Sequence, residues 1–223
     1  MQDKVALILG NGPSLQKINF DEILKNNQVV TFATNRINLV FGKTDWRPDY
    51  YVCFASLSKT DANWKNSIRE VVNSKKTKCY LLPECKAWLG DKENVEYVKV
   101  FEHPRNGPIP SDLFSIRTDD IFLKSFSATV PLFQLALSLE FKHLCIAGQD
   151  GYDSRRENNH FSKKYGYDPG NFEKSNKRLI NLHLVLKNHC ENGLIKIENL
   201  SDISILEMYD KSNRFHSQEP ENE

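Results

Sequence analysis

Short apolar runs alternate with segments of helical period along most of this chain. Runs at 5–9, 29–33, 50–54, 78–82, 97–101, 143–147 and 194–197 are four or five residues long and apolar at most positions, as strands buried on both faces of a sheet are. Between them, 21–25 reads as a short helix and 61–73 as an amphipathic one. The most apolar helix is expected over 127–140, where Val130, Leu132, Phe133, Leu135, Ala136, Leu137 and Leu139 leave a thin polar stripe. A long helix over 172–192 carries Leu179, Leu182, Val185 and Leu186 on one face and stops at Glu191-Asn192-Gly193. This strand-then-helix rhythm predicts an α/β fold, with a mostly parallel sheet covered by helices on both faces.

Two stretches break the rhythm. Residues 103–110 hold too many prolines for regular structure, and 151–170 is polar, charged and rich in Asn, Tyr and Gly. The second is long for a connection in a compact domain, which points to a lid or a binding segment. At 223 residues the chain has room for one large domain with its own core, expected over 1–211, with the polar stretch 212–223 as a flexible tail.

Composition narrows the function classes. Thirty Lys plus Arg against 29 Asp plus Glu leave a formal charge of +1, so bulk electrostatics call for neither nucleic acid nor a membrane surface. The first apolar run is too short to be a targeting or spanning segment, which predicts no integral membrane segment. Five cysteines without a C-x-x-C pair argue against a disulfide framework or a zinc site and make a reducing cytoplasm the expected home.

The candidate chemistry sits where strands end. Gly10-Asn11-Gly12-Pro13-Ser14 follows the first run directly. Its glycines let backbone N–H groups approach an anion, Pro13 stiffens the turn, and Ser14 offers a cap or a hydroxyl for phosphate. The other reading is a tight turn without a ligand. No Gly-Lys-Ser/Thr follows and a third glycine is missing, so it is neither a Walker loop nor a dinucleotide fingerprint. Asn35 and Arg36, after the second run, suit a ribose or base edge and a phosphate, or simply a turn. Asp150 and Asp153 after the sixth run make a weak metal signal, so magnesium is left unassigned, and Tyr152 can donate to a leaving phosphate. In the long loop, His160 suits proton transfer near neutral pH, while Lys163, Lys164, Tyr165 and Tyr167 can meet a phosphate or an acidic sugar. His103 is a competing histidine; His143, His183 and His189 lie in or beside regular elements, where structural roles are expected.

The segments Ala6-Leu7-Ile8-Leu9-Gly10-Asn11-Gly12-Pro13-Ser14-Leu15, Asn35-Arg36, and Ile146-Ala147-Gly148-Gln149-Asp150-Gly151-Tyr152 after the apolar helix resemble the bacterial sialyltransferases of glycosyltransferase family 42. They are similar as well to the related flagellin-modifying motility accessory factors. The resemblance implies a Rossmann-like, GT-A-type fold with a lid, and a CMP-linked nonulosonic acid such as CMP-sialic acid as donor, with no cofactor required. Carried over, Gly10 to Ser14 would hold the donor phosphate and Asn35 the nucleoside. Ser127, Ala128 and Thr129 would hold the donor, with Arg36, Asp150 and Tyr165 beside them, and Tyr152 the leaving phosphate. The lid base falls on Lys164 by alignment, with His160 four residues earlier as the alternative. The lid is shorter than in that family, which leaves room for another acidic sugar.

The reading is a cytoplasmic nucleotide-sugar-dependent glycosyltransferase whose acceptor is a glycan or a lipid-linked saccharide, with a homo-oligomer left open. A pterin pyrophosphokinase using ATP and magnesium, which shares the opening strand and loop, and a non-catalytic nucleotide-binding module are the alternatives.

Overall fold

A computed structural model describes residues 3–55, 61–74, 76–104, 107–166 and 170–217. Eight strands form one sheet in which every pair is parallel: β1 (Val5–Leu9), β2 (Val29–Thr34), β3 (Tyr50–Cys53), β4 (Lys78–Leu81), β5 (Val95–Tyr97), β8 (His143–Ala147), β9 (Lys196–Asn199) and β10 (Asp210–Lys211). A second, two-stranded parallel ladder pairs β6 (Val100–Glu102) with β7 (Phe122–Lys124). The order in the main sheet is β10-β9-β8-β1-β2-β3-β4-β5. The chain therefore winds outward from β1 in one direction, then returns to its other side with β8. Because crossovers are right-handed, that reversal puts the helices before and after it on opposite faces and opens a crevice beyond the carboxyl ends of β1 and β8.

Burial explains the strand pattern. All five residues of β1 and the last four of β8 are buried, as the two central strands require. The helices are α1 (Phe20–Lys25), α2 (Ala62–Asn73), α3 (Lys86–Leu89), α4 (Val130–Ser138) and α5 (Phe172–Asn192). Three begin on a side-chain cap: Asn19, Asp61 and Asn171 accept from the N–H groups of Glu22, Trp64 and Lys174. Helix α4 has eight of its nine residues buried. Its buried Gln134 stitches it to the ladder strand, accepting from Leu123 N–H and donating to the carbonyls of Ile116 and Ile121.

Among the departures from the pattern, three bear on the ladder, the cleft and the C-terminal stretch. The run 97–101 is two strands, β5 and β6, because the chain leaves the main sheet at Val98 to pair with β7. The apolar helix starts at Val130, so Ser127, Ala128 and Thr129 form its lead-in. Beyond 211 the chain stays docked: Asn19 N–H donates to Phe215 O, Ser217 N–H to Lys17 O, and Phe215 is buried. Residues 218–223 of the expected tail lie outside the described residues.

Two predictions follow from what is packed most tightly. A Cβ on Gly10 would lie 2.2 Å from the carbonyl oxygen of Gly148, a backbone atom with nowhere to go. Gly10→Ala is expected to cost about 3 kcal/mol or more, whereas Gly42→Ala, with open space around it, should change stability by less than about 1 kcal/mol; urea unfolding of both variants checks the contrast. His183 is fully buried and desolvation holds its pKa down, from 6.5 to about 3. The unfolded chain therefore binds a proton that the folded chain refuses. Stability should fall as pH drops from 6.5 toward 3, by up to about 1.4 kcal/mol per pH unit from this residue, and His183→Gln should flatten that slope in denaturation curves taken across the window.

Candidate active site

The crevice at the β1/β8 reversal is a cleft of about 810 Å³. Its floor is built by two loops that touch backbone to backbone. Gly10 N–H donates to Ala147 O, Gly12 N–H donates to Gly148 O, and Gly148 adopts φ +68, which favours glycine. Asp150 then reaches across: its carboxylate accepts from the Ser14 N–H and from the Ser14 hydroxyl, both at 2.7 Å, capping the 3-10 turn Pro13–Lys17. The Ser14 hydroxyl oxygen in turn accepts from Gly148 N–H. The N–H groups of Gly10, Gly12 and Ser14 and the Ser14 hydroxyl, in the loop expected to hold a donor phosphate, have partners within the protein. Among the loop residues Gly10, Asn11 and Gly12 line the cleft.

Asn11 is the loop residue that brings a side chain to the cleft. Its Nδ2 donates to Thr34 O, and its carbonyl accepts from Phe161 N–H and from His160 Nδ1. Its Oδ1 is buried and has no protein partner among the described residues. At the end of β2, Asn35 takes φ 55, a left-handed conformation that asparagine tolerates, and donates from Nδ2 to the Tyr165 hydroxyl. Its backbone carbonyl accepts from the Tyr51 hydroxyl.

The long loop lies down over this floor. The His160 ring stacks on Tyr165 with centroids 3.9 Å apart and meets Tyr152 edge-on at 6.2 Å. Burial pushes the Tyr165 phenol well up, so it is neutral across the physiological range. Tyr152 is positioned by Asn176 of α5, which accepts from its N–H and donates to its carbonyl, both at 2.7 Å, while its ring stacks on Phe172.

Arg36 and Lys164, both expected at the site, do not line the cleft. Arg36 is a buried clamp whose guanidinium donates to the carbonyls of Lys164 and Tyr165 and to the Ser67 hydroxyl. Its charge holds the 3-10 turn Lys163–Tyr165 against α2 rather than meeting a phosphate. The Lys164 side chain is exposed outside the cleft. Asp153 points away as well, paired with Arg155, whose hydrogen bonds hold its carboxyl down to about 2. Tyr167 lies outside the described residues.

Ser127, Ala128 and Thr129 do line the cleft, at the lead-in to α4. The Thr129 hydroxyl donates to Gln149 Oε1, which also meets His183 Nε2 at 2.9 Å. Gln149, buried at 6% exposure, has an Nε2 with no protein partner among the described residues. His103 lines the rim, bonded to Pro108 O. Sequence reasoning missed the remaining wall: Trp64, Phe126, and one turn apart on α5, Lys174 and Arg178, with the Arg178 guanidinium over the Phe126 ring at 4.3 Å. The i,i+4 spacing of that basic pair on the polar side of α5 was the available signal.

Solved structures share this architecture. The sialyltransferase CstII from Campylobacter jejuni, solved with the substrate analogue CMP-3FNeuAc, matches with a TM-score of 0.51 and 16% identity over 97% of this chain and 89% of its own. The chain shares its fold with that enzyme. The monofunctional α-2,3-sialyltransferase Cst-I of the same organism matches at 0.52 and 14% identity over 94% and 79%. The Maf glycosyltransferase of Magnetospirillum magneticum AMB-1 matches at 0.57 and 16% identity over 95% of this chain, which spans 34% of it. No protein-family profile and no curated protein matches the chain. No helix among the described residues is long and apolar enough to cross a membrane.

The clamp gives a test of how the loop is held. Arg36→Ala removes charge-assisted bonds and is expected to cost about 2–4 kcal/mol. The Phe161 and Tyr165 amides, bonded to Asn11 O and Ser162 O, should exchange faster by hydrogen–deuterium exchange while β1 and β8 stay protected.

Proposed function

We propose that this protein is a glycosyltransferase that takes an acidic nonulosonic sugar, such as sialic acid, from a CMP-activated donor and passes it to a hydroxyl of a glycan or lipid-linked saccharide. One observation carries the reading: His160, Tyr152, Tyr165 and Asn11 converge on one cleft at the winding reversal of a fold shared with CstII, an enzyme solved with a CMP-sugar analogue.

The geometry supports a defined role for each group. The His160 Nδ1 faces the Asn11 carbonyl at 3.3 Å, and a carbonyl only accepts, so Nδ1 carries the proton and Nε2 is the basic nitrogen. Nε2 takes the proton of the acceptor hydroxyl as its oxygen attacks the anomeric carbon. The bond from that carbon to the phosphate oxygen breaks, and CMP leaves with the electron pair. The Tyr152 hydroxyl donates to the departing phosphate, and Lys174 with Arg178 supplies positive charge along the wall for phosphate and sugar carboxylate. Asn11 and Asn35 orient the nucleotide.

The pyrophosphokinase alternative needs convergent free carboxylates to hold magnesium against a triphosphate. Among the described residues the acids that line the cleft each have a partner: Asp150 in Ser14, Asp61 in the Trp64 N–H, and Glu102 in Lys124.

In a thermal-shift assay, CMP without metal should raise the unfolding midpoint, and CMP-sugars should be turned over. His160→Gln is expected to lower kcat by about 10²–10⁴-fold while the CMP shift survives, and Lys164→Ala should stay within roughly twofold of the parent. Stabilisation by ATP with magnesium alone, or full turnover in His160→Gln, overturns the assignment.

A further inference from the structure

At the other end of the central strands, away from the cleft, three groups of metal-ligand chemistry meet. His143 opens β8, Cys145 follows on the same face two residues later, and Glu198 stands beside Cys145 in the β8/β9 register. His143 Nε2 lies 2.9 Å from Glu198 Oε2, Cys145 Sγ lies 3.5 Å from the same oxygen, and Sγ lies 3.8 Å from His143 Nε2. Among the described residues this is the one such group of three. Cys145 is fully buried and Glu198 nearly so, while the His143 side chain keeps a 21% exposed edge.

We infer that His143, Cys145 and Glu198 form a binding site for a thiophilic divalent cation of the zinc type. Tetrahedral zinc with bonds of about 2.0–2.3 Å puts its ligand atoms roughly 3.3–3.6 Å apart, and the three separations straddle that range. The donor set is one nitrogen, one sulfur and one oxygen, which suits zinc and disfavours magnesium or calcium. The Cys145 thiol donates to the same carboxylate oxygen that meets His143, so the three groups already converge on one point. The second carboxylate oxygen, Oε1, is held by Lys196 Nζ at 2.5 Å, so Oε2 is fixed toward the other two groups. The cysteine enters as thiolate, its proton passing to solvent as the metal–sulfur bond forms. Water on the exposed histidine side completes four-coordination. Such a site ties β8 to β9 across the sheet, and the absence of a C-x-x-C pair does not exclude it, because the third ligand comes from 53 residues further along the chain.

Cobalt(II) titration of the full chain is the test, since a cobalt–thiolate bond gives a near-ultraviolet charge-transfer band and tetrahedral sites give visible bands. One equivalent should produce both, zinc should abolish them, and zinc alone should raise the unfolding midpoint. Cys145→Ser should lose the charge-transfer band. His143→Gln, at a partly exposed position, should keep the fold and weaken cobalt binding at least tenfold, which preserves the test if the serine variant does not fold. A parent protein without the band, a band that persists in Cys145→Ser, or unchanged affinity in His143→Gln overturns the inference. CMP binding at the cleft is independent of every one of these outcomes.

Discussion

The contact on which the site depends is the passage of two backbones past each other at Gly10 and Gly148. No side chain fits at either position, and a Cβ on Gly148 would itself lie 2.8 Å from Gly10 O. With the side chains absent, the loop after β1 and the loop after β8 exchange hydrogen bonds directly. Asp150 comes close enough to cap the Pro13–Lys17 turn through Ser14, and a Cβ on Gly12 would strike that carboxylate. Asn11 is then the one residue of the loop with a side chain on the cleft, and its carbonyl becomes the anchor for His160 and Phe161. The position of the long loop is thus set by backbone packing beneath it.

That chain of causes explains which parts of the molecule were legible beforehand. Strands such as 5–9 and 143–147 are readable because burial on both faces writes an unbroken apolar run. The loop after the first run was correctly located for a reason that is only half of the truth. Glycines permit close approach, and pattern alone does not say whether a ligand or another loop of the same chain approaches. The partner of Ser14 is 136 residues away and the carbonyls held by Arg36 are 128 and 129 away. Nothing local distinguishes an arginine that meets a phosphate from one that meets two carbonyls. Lys164 shows the same limit, since alignment by spacing assigns a position to a residue whose side chain the 3-10 turn directs outward.

Buried polar groups make the arrangement specific rather than merely stable. Arg36, Asp150 and Gln134 each lose hydration on folding, and each recovers it through two or more directed bonds. A register slip or a shifted loop would leave one of them without partners at a cost of roughly 1–3 kcal/mol for each unsatisfied group. Apolar packing alone would tolerate more alternatives. The polar set selects one position for the loops that make the cleft.

Among the described residues three buried amide atoms have no protein partner, Asn11 Oδ1, Asn38 Oδ1 and Gln149 Nε2, and the first and last stand out because they belong to residues of the cleft. Neighbouring bonds fix each amide: Asn11 through Thr34, and Gln149 through Thr129 and His183. Neither side chain is held in a way that lets it swing to a new protein partner without breaking bonds already made. The desolvation cost of these atoms is therefore met during folding, before any ligand arrives. A ligand whose binding uncovers them, bringing a donor to Asn11 Oδ1 and an acceptor to Gln149 Nε2, makes bonds that folding left unmade, which favours one hydrogen-bonding pattern over its isosteres.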